Sequence, residues 1–233
     1  MKQSRVIESL ILAIGLVIMG GFISSAFDHY TDSRRVVTVK GLAEMEVKAD
    51  KVTWPIVYRE LGNDLPTIYN RTNKINQTII TYLNENGIST EEITVNAPEV
   101  ADLKTDRYNS NPITDRYNVT GVITVTSDKV DKVREIINKQ GELLKKGIAL
   151  VTETYSNPIT YEYTSLNKIK PEMIQQATKN ARIAAEQFAK DSDCKIGEIV
   201  TANQGQFSIT NRDQYTPYIK SVRVVTTITY SLQ

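Results

Sequence analysis

Asp64-Leu65-Pro66-Thr67-Ile68-Tyr69-Asn70-Arg71-Thr72-Asn73-Lys74-Ile75-Asn76-Gln77-Thr78-Ile79-Ile80-Thr81-Tyr82-Leu83-Asn84-Glu85-Asn86-Gly87 repeats its apolar positions with the period of an α-helix. Ile68, Thr72, Ile75, Ile79 and Leu83 share one face, Asn63 or Asp64 can cap the start, and Gly87 stands where a helix C′ glycine belongs. Before this helix, Val36 to Lys40 is rich in β-branched residues and reads as a strand that Gly41 breaks. Glu44 to Glu60 contains a second strand with Val47, Val52, Ile56 and Tyr58 as core positions, and Pro55 within it points to an edge or a bulge. After the helix, Ile93 to Leu103 and Ile113 to Thr126 read as two strands around a polar loop. Asp128 starts a short helix with Val130, Val133 and Ile137 inward, and Leu143 to Tyr163 is extended again, interrupted at Asn157-Pro158. From Val47 to Tyr163 the order is βαββαβ, the split-βαβ, ferredoxin-like sequence of elements.

Further along, Pro171 fits a first helical position, and Ile174, Ala177, Ala181, Ala184 and Phe188 form a stripe whose alanines suit close packing on a sheet. Two strands, Ile196 to Phe207 and Tyr218 to Tyr230, close the chain around the polar Asn211-Arg212-Asp213-Gln214 loop. The fold expected is α+β: a mainly antiparallel sheet with helices on one side, a ferredoxin-like βαββαβ middle, an extra helix and a C-terminal hairpin.

An N-terminal transmembrane helix is expected to precede it. Lys2 and Arg5 stand before a charge-free run from Ser9 to Phe27, 19 residues long. Such a helix rises roughly 28 Å, close to the hydrocarbon thickness of a bilayer. Positive charge before the span places residues 1–8 as a cytoplasmic tip, 9–27 as the anchor, 28–35 as a polar stalk and 36–233 as a domain outside the cytoplasmic membrane. A cleaved signal peptide is the alternative, because Ser24-Ser25-Ala26 offers small residues to a signal peptidase. The apolar run exceeds the usual h-region of about 7–15 residues, which favours the anchor. Gly20 with Ser24, and Gly21 with Ser25, have the spacing that lets spanning helices approach.

Of 233 residues, 28 are Lys or Arg and 27 are Asp or Glu; outside residues 1–27, which hold Lys2, Arg5 and Glu8, both counts are 26. A neutral domain lacks the footprint of a nucleic-acid binder. One cysteine, Cys194, permits no internal disulfide and no Cys-based metal site. One histidine, His29, lies on the stalk, which argues against a Ser-His-Asp triad and a His-based metal site. No Gly-rich phosphate loop and no Asp-x-Asp-x-Asp-Gly loop occurs, so no cofactor, metal or catalytic residue is expected, and the chain reads as not an enzyme. Asp191, Ser192 and Asp193 before Cys194, with Lys195 after it, suit a packed thiol at a helix-to-strand turn better than a reactive one.

The most distinctive motif is repeated: Thr105-Asp106-Arg107-Tyr108-Asn109 recurs as Thr114-Asp115-Arg116-Tyr117-Asn118, and Asn111-Pro112-Ile113-Thr114 as Asn157-Pro158-Ile159-Thr160. Tyr and Arg are common interface anchors. Arg107, Tyr108, Arg116, Tyr117, Tyr161 and Tyr163 are therefore the candidate contact surface, with Tyr155, Tyr215 and Tyr218 as further aromatics. Hairpin tips carrying ordinary strand tyrosines account for the same residues without any partner.

Three stretches, in order, resemble the SIMPL domain (DUF541) family. They are Val37-Thr38-Val39-Lys40-Gly41-Leu42-Ala43-Glu44-Met45-Glu46-Val47-Lys48-Ala49-Asp50-Lys51-Val52, then Leu83-Asn84-Glu85-Asn86-Gly87-Ile88 with Ile93-Thr94, then the Ala177 to Ala189 helix with Ile196-Gly197-Glu198-Ile199. The resemblance spans about residues 36–230, with Ala49-Asp50 where Pro-Asp is usual and Cys194 in a stretch where many members carry glycine. It implies a bacterial, periplasmic or membrane-anchored protein with no agreed catalytic site. Family members are associated with oxidative-stress tolerance and surface antigenicity, and some form large ring-like homo-oligomers. The expectation is a self-assembling envelope module at the inner membrane, in contact with copies of itself or another envelope protein. A cleaved periplasmic ligand- or peptide-binding protein is the alternative, and a Cys194-based redox protein a more distant one.

Overall fold

The computed structural model describes residues 13–22, 35–105, 114–151 and 156–233. Residues 13–22 form α1; Ile14, Leu16, Val17, Ile18, Met19 and Phe22 on it are each more than half exposed. Among the described residues no helix is long and apolar enough to cross a membrane. The elements after α1 are β1 (Val36–Lys48), β2 (Lys51–Gly62), α2 (Leu65–Glu85), β3 (Ile93–Val95), β4 (Glu99–Asp102), β5 (Tyr117–Ser127), α3 (Val130–Asn138), α4 (Gly141–Lys145), β6 (Leu150–Val151), β7 (Thr160–Glu162), α5 (Leu166–Asp191), β8 (Ile196–Gln204), β9 (Ser208–Asn211) and β10 (Ile219–Leu232). The fold is mixed α+β with antiparallel sheets. It holds two sheets where one was expected, and the chain divides into two compact units, Met1–Met45, Asn167–Ser208 and Val222–Gln233 against Glu46–Leu166 and Ile209–Ser221.

The second unit is built on a six-stranded sheet. β5 pairs antiparallel with β2, β3 and β4, and β2 pairs antiparallel with β6 and β7 on its other side. The split βαβ motif interleaves its strands in this way. Alternate residues of β2, Val52, Trp54, Ile56 and Tyr58, turn to one face and are buried against Ile79, Tyr82 and Leu83 of α2, Val133 and Ile136 of α3 and Leu143 of α4. The three helices therefore cover one face of this sheet. Each such large apolar side chain contributes about 1.5–3 kcal/mol by leaving water.

α2 starts at Asp64, whose carboxylate accepts from the Thr67 amide at 3.0 Å. It ends at Gly87, where φ is +88° and Ile88 N–H returns to the Leu83 carbonyl at 3.0 Å. Three sequence expectations change here. Ile93–Leu103 is two short strands, separated at Asn96-Ala97-Pro98, because Pro98 has no N–H to give a ladder. Leu143 is helical, not extended; α4 buries it, and Gly147, at φ +82°, ends that helix as Gly87 ends α2. In α3 it is Ile136, one residue before Ile137, that is fully buried.

Pro55 marks neither an edge strand nor a bulge. β2 is central, and its register with β5 runs through Trp54↔Val125, Pro55↔Thr124 and Ile56↔Ile123 without a shift. On the other side β7 pairs Lys51 to Thr53 and β6 pairs Val57 and Tyr58, so among the described residues nothing pairs with Trp54, Pro55 or Ile56 there. The missing proline N–H falls in that gap.

The first unit is built on β1, β10 and β8 in that order, with α5 across them. α5 begins at Leu166, so Pro171 is inside the helix rather than at its first position. The Pro171 ring removes only the bond to Asn167, one residue into the helix, where that carbonyl is near an end that water reaches. The buried stripe is Met173, Ala177, Ala181, Ala185 and Ala189; Ala184 and Phe188 are exposed. Gly41 does not break β1. It sits inside a continuous strand, and an added Cβ would lie 1.9 Å from the Ala177 carbonyl oxygen.

Candidate functional site

The candidate contact residues fall in separate places. Arg107 and Tyr108 lie outside the described residues. Arg116 is tied down from several sides: its Nε and Nη2 donate to Asp102 Oδ2 at 3.0 and 2.8 Å, its amide donates to Asn63 Oδ1 at 2.9 Å, and its guanidinium stands 5.0 Å from the Tyr117 ring centre. Hydrogen bonds from Arg116 hold the Asp102 carboxyl below its usual range and raise the guanidinium above its own. Arg116 and Tyr117 stay partly exposed, but the guanidinium acts as a clamp on the end of β4 and β5.

Tyr161 is at the other end of the sheet. It pairs with Val52, whereas Tyr117 pairs with Gly62, so roughly 33 Å of strand separates the two tyrosines. Tyr161 meets Tyr218 edge-on, ring centres 6.2 Å apart, and the Arg134 guanidinium lies 3.3 Å over the Tyr218 ring. Burial pushes the Tyr161 phenol up. Tyr163 is half-buried just past β7. The structure thus joins Arg116 to Tyr117 and Tyr161 to Tyr218, and leaves the two groups far apart. His29 and Tyr155 are outside the described residues.

Tyr215 is 82% exposed on a loop that is firmly held. Asp213 accepts from the Tyr215 and Thr216 amides, both at 2.7 Å, from the Thr216 hydroxyl, and from Arg212 Nε at 3.0 Å. Those bonds, the Thr216 hydroxyl first, hold its carboxyl far below the usual range. The sequence cue was the Asp two residues before the Tyr, a spacing that lets a carboxylate close an Asx turn.

Two more carboxylates are consumed by the fold. Asp50 accepts from the Thr164 amide at 2.7 Å, the Thr164 hydroxyl at 3.0 Å and the Ser165 amide at 2.9 Å. Burial resists its ionisation, and these bonds outweigh that and lower its pKa. Asp50 is therefore the residue that fastens the backbone at Thr164-Ser165. Glu92 accepts from Ser127 Oγ at 2.6 Å, Lys129 Nζ at 2.9 Å and the Ser89 amide at 2.8 Å. Burial again opposes ionisation, but the bonds prevail and bring Glu92 to about 2.

Glu92→Gln is expected to lower stability at neutral pH by about 1–3 kcal/mol, since it leaves bonded donors short of a charged acceptor. The folded pKa is depressed, so the wild-type advantage is full above the ordinary glutamate value. It disappears as pH falls from about 4.5 through about 2. Urea midpoints read by the fluorescence of Trp54, the only tryptophan, check this. Curves for the two proteins should converge at the acid end; a constant offset would show that Glu92 acts without its charge.

A cavity of about 270 Å³ lies beside the Pro55 gap, lined by Trp54, Pro55, Ile56, Val57, Gln140, Leu150, Val151, Asn157, Pro158 and Ile159. Cys194 follows α5 in the turn to β8, its amide bonded to the Ala189 carbonyl at 2.8 Å and its thiol 3.3 Å from the Ser192 carbonyl. Asp193 beside it takes the left-handed conformation, φ +53°, that a glycine would hold without strain. Among the described residues no group of three or more His, Cys, Asp or Glu could hold a metal ion.

This is a mixed α+β chain in which Asp50, Glu92, Asp102 and Asp213, among the described residues, are shifted by hydrogen bonds within the fold. Residues 37–228 match the family model of SIMPL, described as a protein of unknown function (DUF541), and the chain belongs to that family. No curated protein matches it.

Proposed function

We propose that the chain is a non-catalytic, membrane-anchored SIMPL module of a bacterial envelope, with its folded part outside the cytoplasmic membrane, and that it assembles with copies of itself in support of oxidative or envelope stress tolerance. The observation that carries the reading is the charge-free run from Ser9 to Phe27 behind Lys2 and Arg5. The described part of that run, residues 13–22, is helical, and its large apolar side chains are each more than half exposed. A bilayer is the solvent that suits them. The non-catalytic part of the reading is supported by the fate of Asp50, Glu92, Asp102 and Asp213. Catalytic carboxylates are shifted within clefts; these four are shifted by bonds that fasten loops, and none lines the cavity beside Pro55.

The chain expressed from its own start is expected to remain in the membrane pellet after carbonate extraction, and its mass to include residues 1–27. A soluble form beginning at Phe27 would end the anchor reading. It would favour the second one, a cleaved ligand- or peptide-binding protein, for which the cavity beside Pro55 is the supporting observation.

A further inference from the structure

We propose that the outer edge of β1 is a strand-addition site for a second copy of this chain, and that Asn180 holds it closed. β1 ends its sheet, and among the described residues no strand pairs with its outer side. Three contacts fix which backbone groups face outward. The Leu232 amide donates to the Arg35 carbonyl at 2.8 Å, Thr38 Oγ1 meets Thr229 Oγ1 at 2.9 Å, and Arg223 Nε meets Glu44 at 3.5 Å. All three keep one antiparallel register, so this stretch of β1 has no bulge. With period two, Arg35 and the odd residues turn their N–H and C=O groups to β10, and Val36, Thr38, Lys40, Leu42 and Glu44 turn theirs outward. The strand on the other side of β10 differs: β8 carries two register shifts, at Thr229/Tyr230 and Tyr230/Leu232. A bulged edge resists pairing.

The sequence of β1 is self-complementary about Leu42. A second copy laid antiparallel, Leu42 to Leu42, sets Lys40 opposite Glu44 twice on the exposed face of the strand. Cross-strand pairs of opposite charge are favourable, and registers centred on Lys40 or on Glu44 oppose like charges. The Leu42 carbonyl is the acceptor at the centre of that register. In the structure it accepts from Asn180 Nδ2 at 2.7 Å, and Gln176 Nε2 donates to Asn180 Oδ1 at 3.1 Å, holding the amide in place. The side chain of Asn180 thus takes the acceptor that an incoming strand needs.

The partner named here rests on the reading of a chain that meets its own copies in a membrane, and its test separates from that reading. The full chain in neutral detergent, with Cys194→Ser to remove the native thiol, is followed by sedimentation velocity and by oxidative cross-linking at Leu42→Cys. Asn180→Ala and Asn180→Asp both delete the donor, and each is expected to tighten self-association about tenfold or more. Cross-linking should rise with it, because facing residues of a hydrogen-bonded pair have Cα atoms about 5.5 Å apart, within disulfide reach. Lys40→Glu added to Asn180→Ala should cancel the gain, and Glu44→Lys added to both should restore it. Association unchanged by either Asn180 variant, or a gain indifferent to Lys40→Glu, overturns the proposal. A wild-type oligomer that ignores all of these variants leaves assembly standing through another surface and removes this edge. A monomeric wild type that pairs on losing Asn180 supports the edge and removes the assembly reading.

Discussion

Gly41→Ala is expected to cost about 3–5 kcal/mol, at the upper end of what overpacking does. The added methyl carbon would stand 1.9 Å from the Ala177 carbonyl oxygen, 2.4 Å from the Ala181 nitrogen and 2.8 Å from the Ala181 Cβ. Ordinary contact needs about 3.5 Å, so α5 would have to move by roughly 1.5 Å. Two of the three obstacles are helix backbone, which trimming a side chain cannot relieve. The core that α5 closes is small: Val37, Ala181, Ala185, Ile228 and Tyr230 are its buried members. A lifted helix opens it along its whole length. Hydrogen exchange should show the α5 amides from Ala177 to Ala189 losing protection, with a melting temperature lowered by several degrees. A Gly41→Ala chain that melts with the wild type would mean that strand and helix do not meet at this glycine.

The same glycine shows how far the sequence could be read. A glycine after five β-branched or charged residues looks like a strand end, because glycine weakens strands and packs nothing. Only the helix laid across it, some 135 residues later in the chain, makes it the one residue that fits. The alanine stripe was legible as a close-packing face, but its phase was not. Ala184 and Ala185 are adjacent alanines, and composition gives no reason to prefer one; Val37 and Ile228 beneath the helix select Ala185. The run of elements that builds the larger sheet followed from periodicity alone, as a βαββαβ order. The second sheet did not. It needs β1 from the start of the fold and β10 from its end to pair, and neither strand carries a local mark of the other.

For the contact surface, composition grouped residues that the structure places apart. Arg116 and Tyr117 recur in a repeat, which drew attention, yet the Arg116 guanidinium is spent on Asp102. Distance in the sheet separates Tyr161 from them, and a sequence gives that distance only after register is known. Asn180 carried no signal at all: an asparagine on a predicted helix face is unremarkable until the carbonyl it reaches is known to be on an open edge.

Gly121→Ala is expected to cost about 2–3 kcal/mol, and replacing one side chain should remove most of that cost. Gly121 lies opposite Tyr58 in the central pair of strands. An added Cβ there would meet the tyrosine ring, at 2.2 Å from Cζ and 2.7 Å from Cε1. The ring cannot swing aside freely, because the phenol donates to Asn76 Oδ1 at 2.6 Å and the residue is 1% exposed. Burial, with Glu60 adding to it, keeps that phenol protonated to about 12, so its donor role holds at every ordinary pH. In a Tyr58→Leu chain the obstructing ring atoms are absent, and Gly121→Ala should then cost little. In a Tyr58→Phe chain the phenol bond and the hydroxyl oxygen are lost but Cζ and Cε1 remain, and Gly121→Ala should keep part of its cost. The cycle with leucine should therefore give a favourable coupling of about 2 kcal/mol, and the cycle with phenylalanine a clearly smaller one. Urea unfolding followed through Trp54 measures all five variants. Equal couplings in the two cycles would show that Gly121 is required by the strand backbone and not by the ring laid over it.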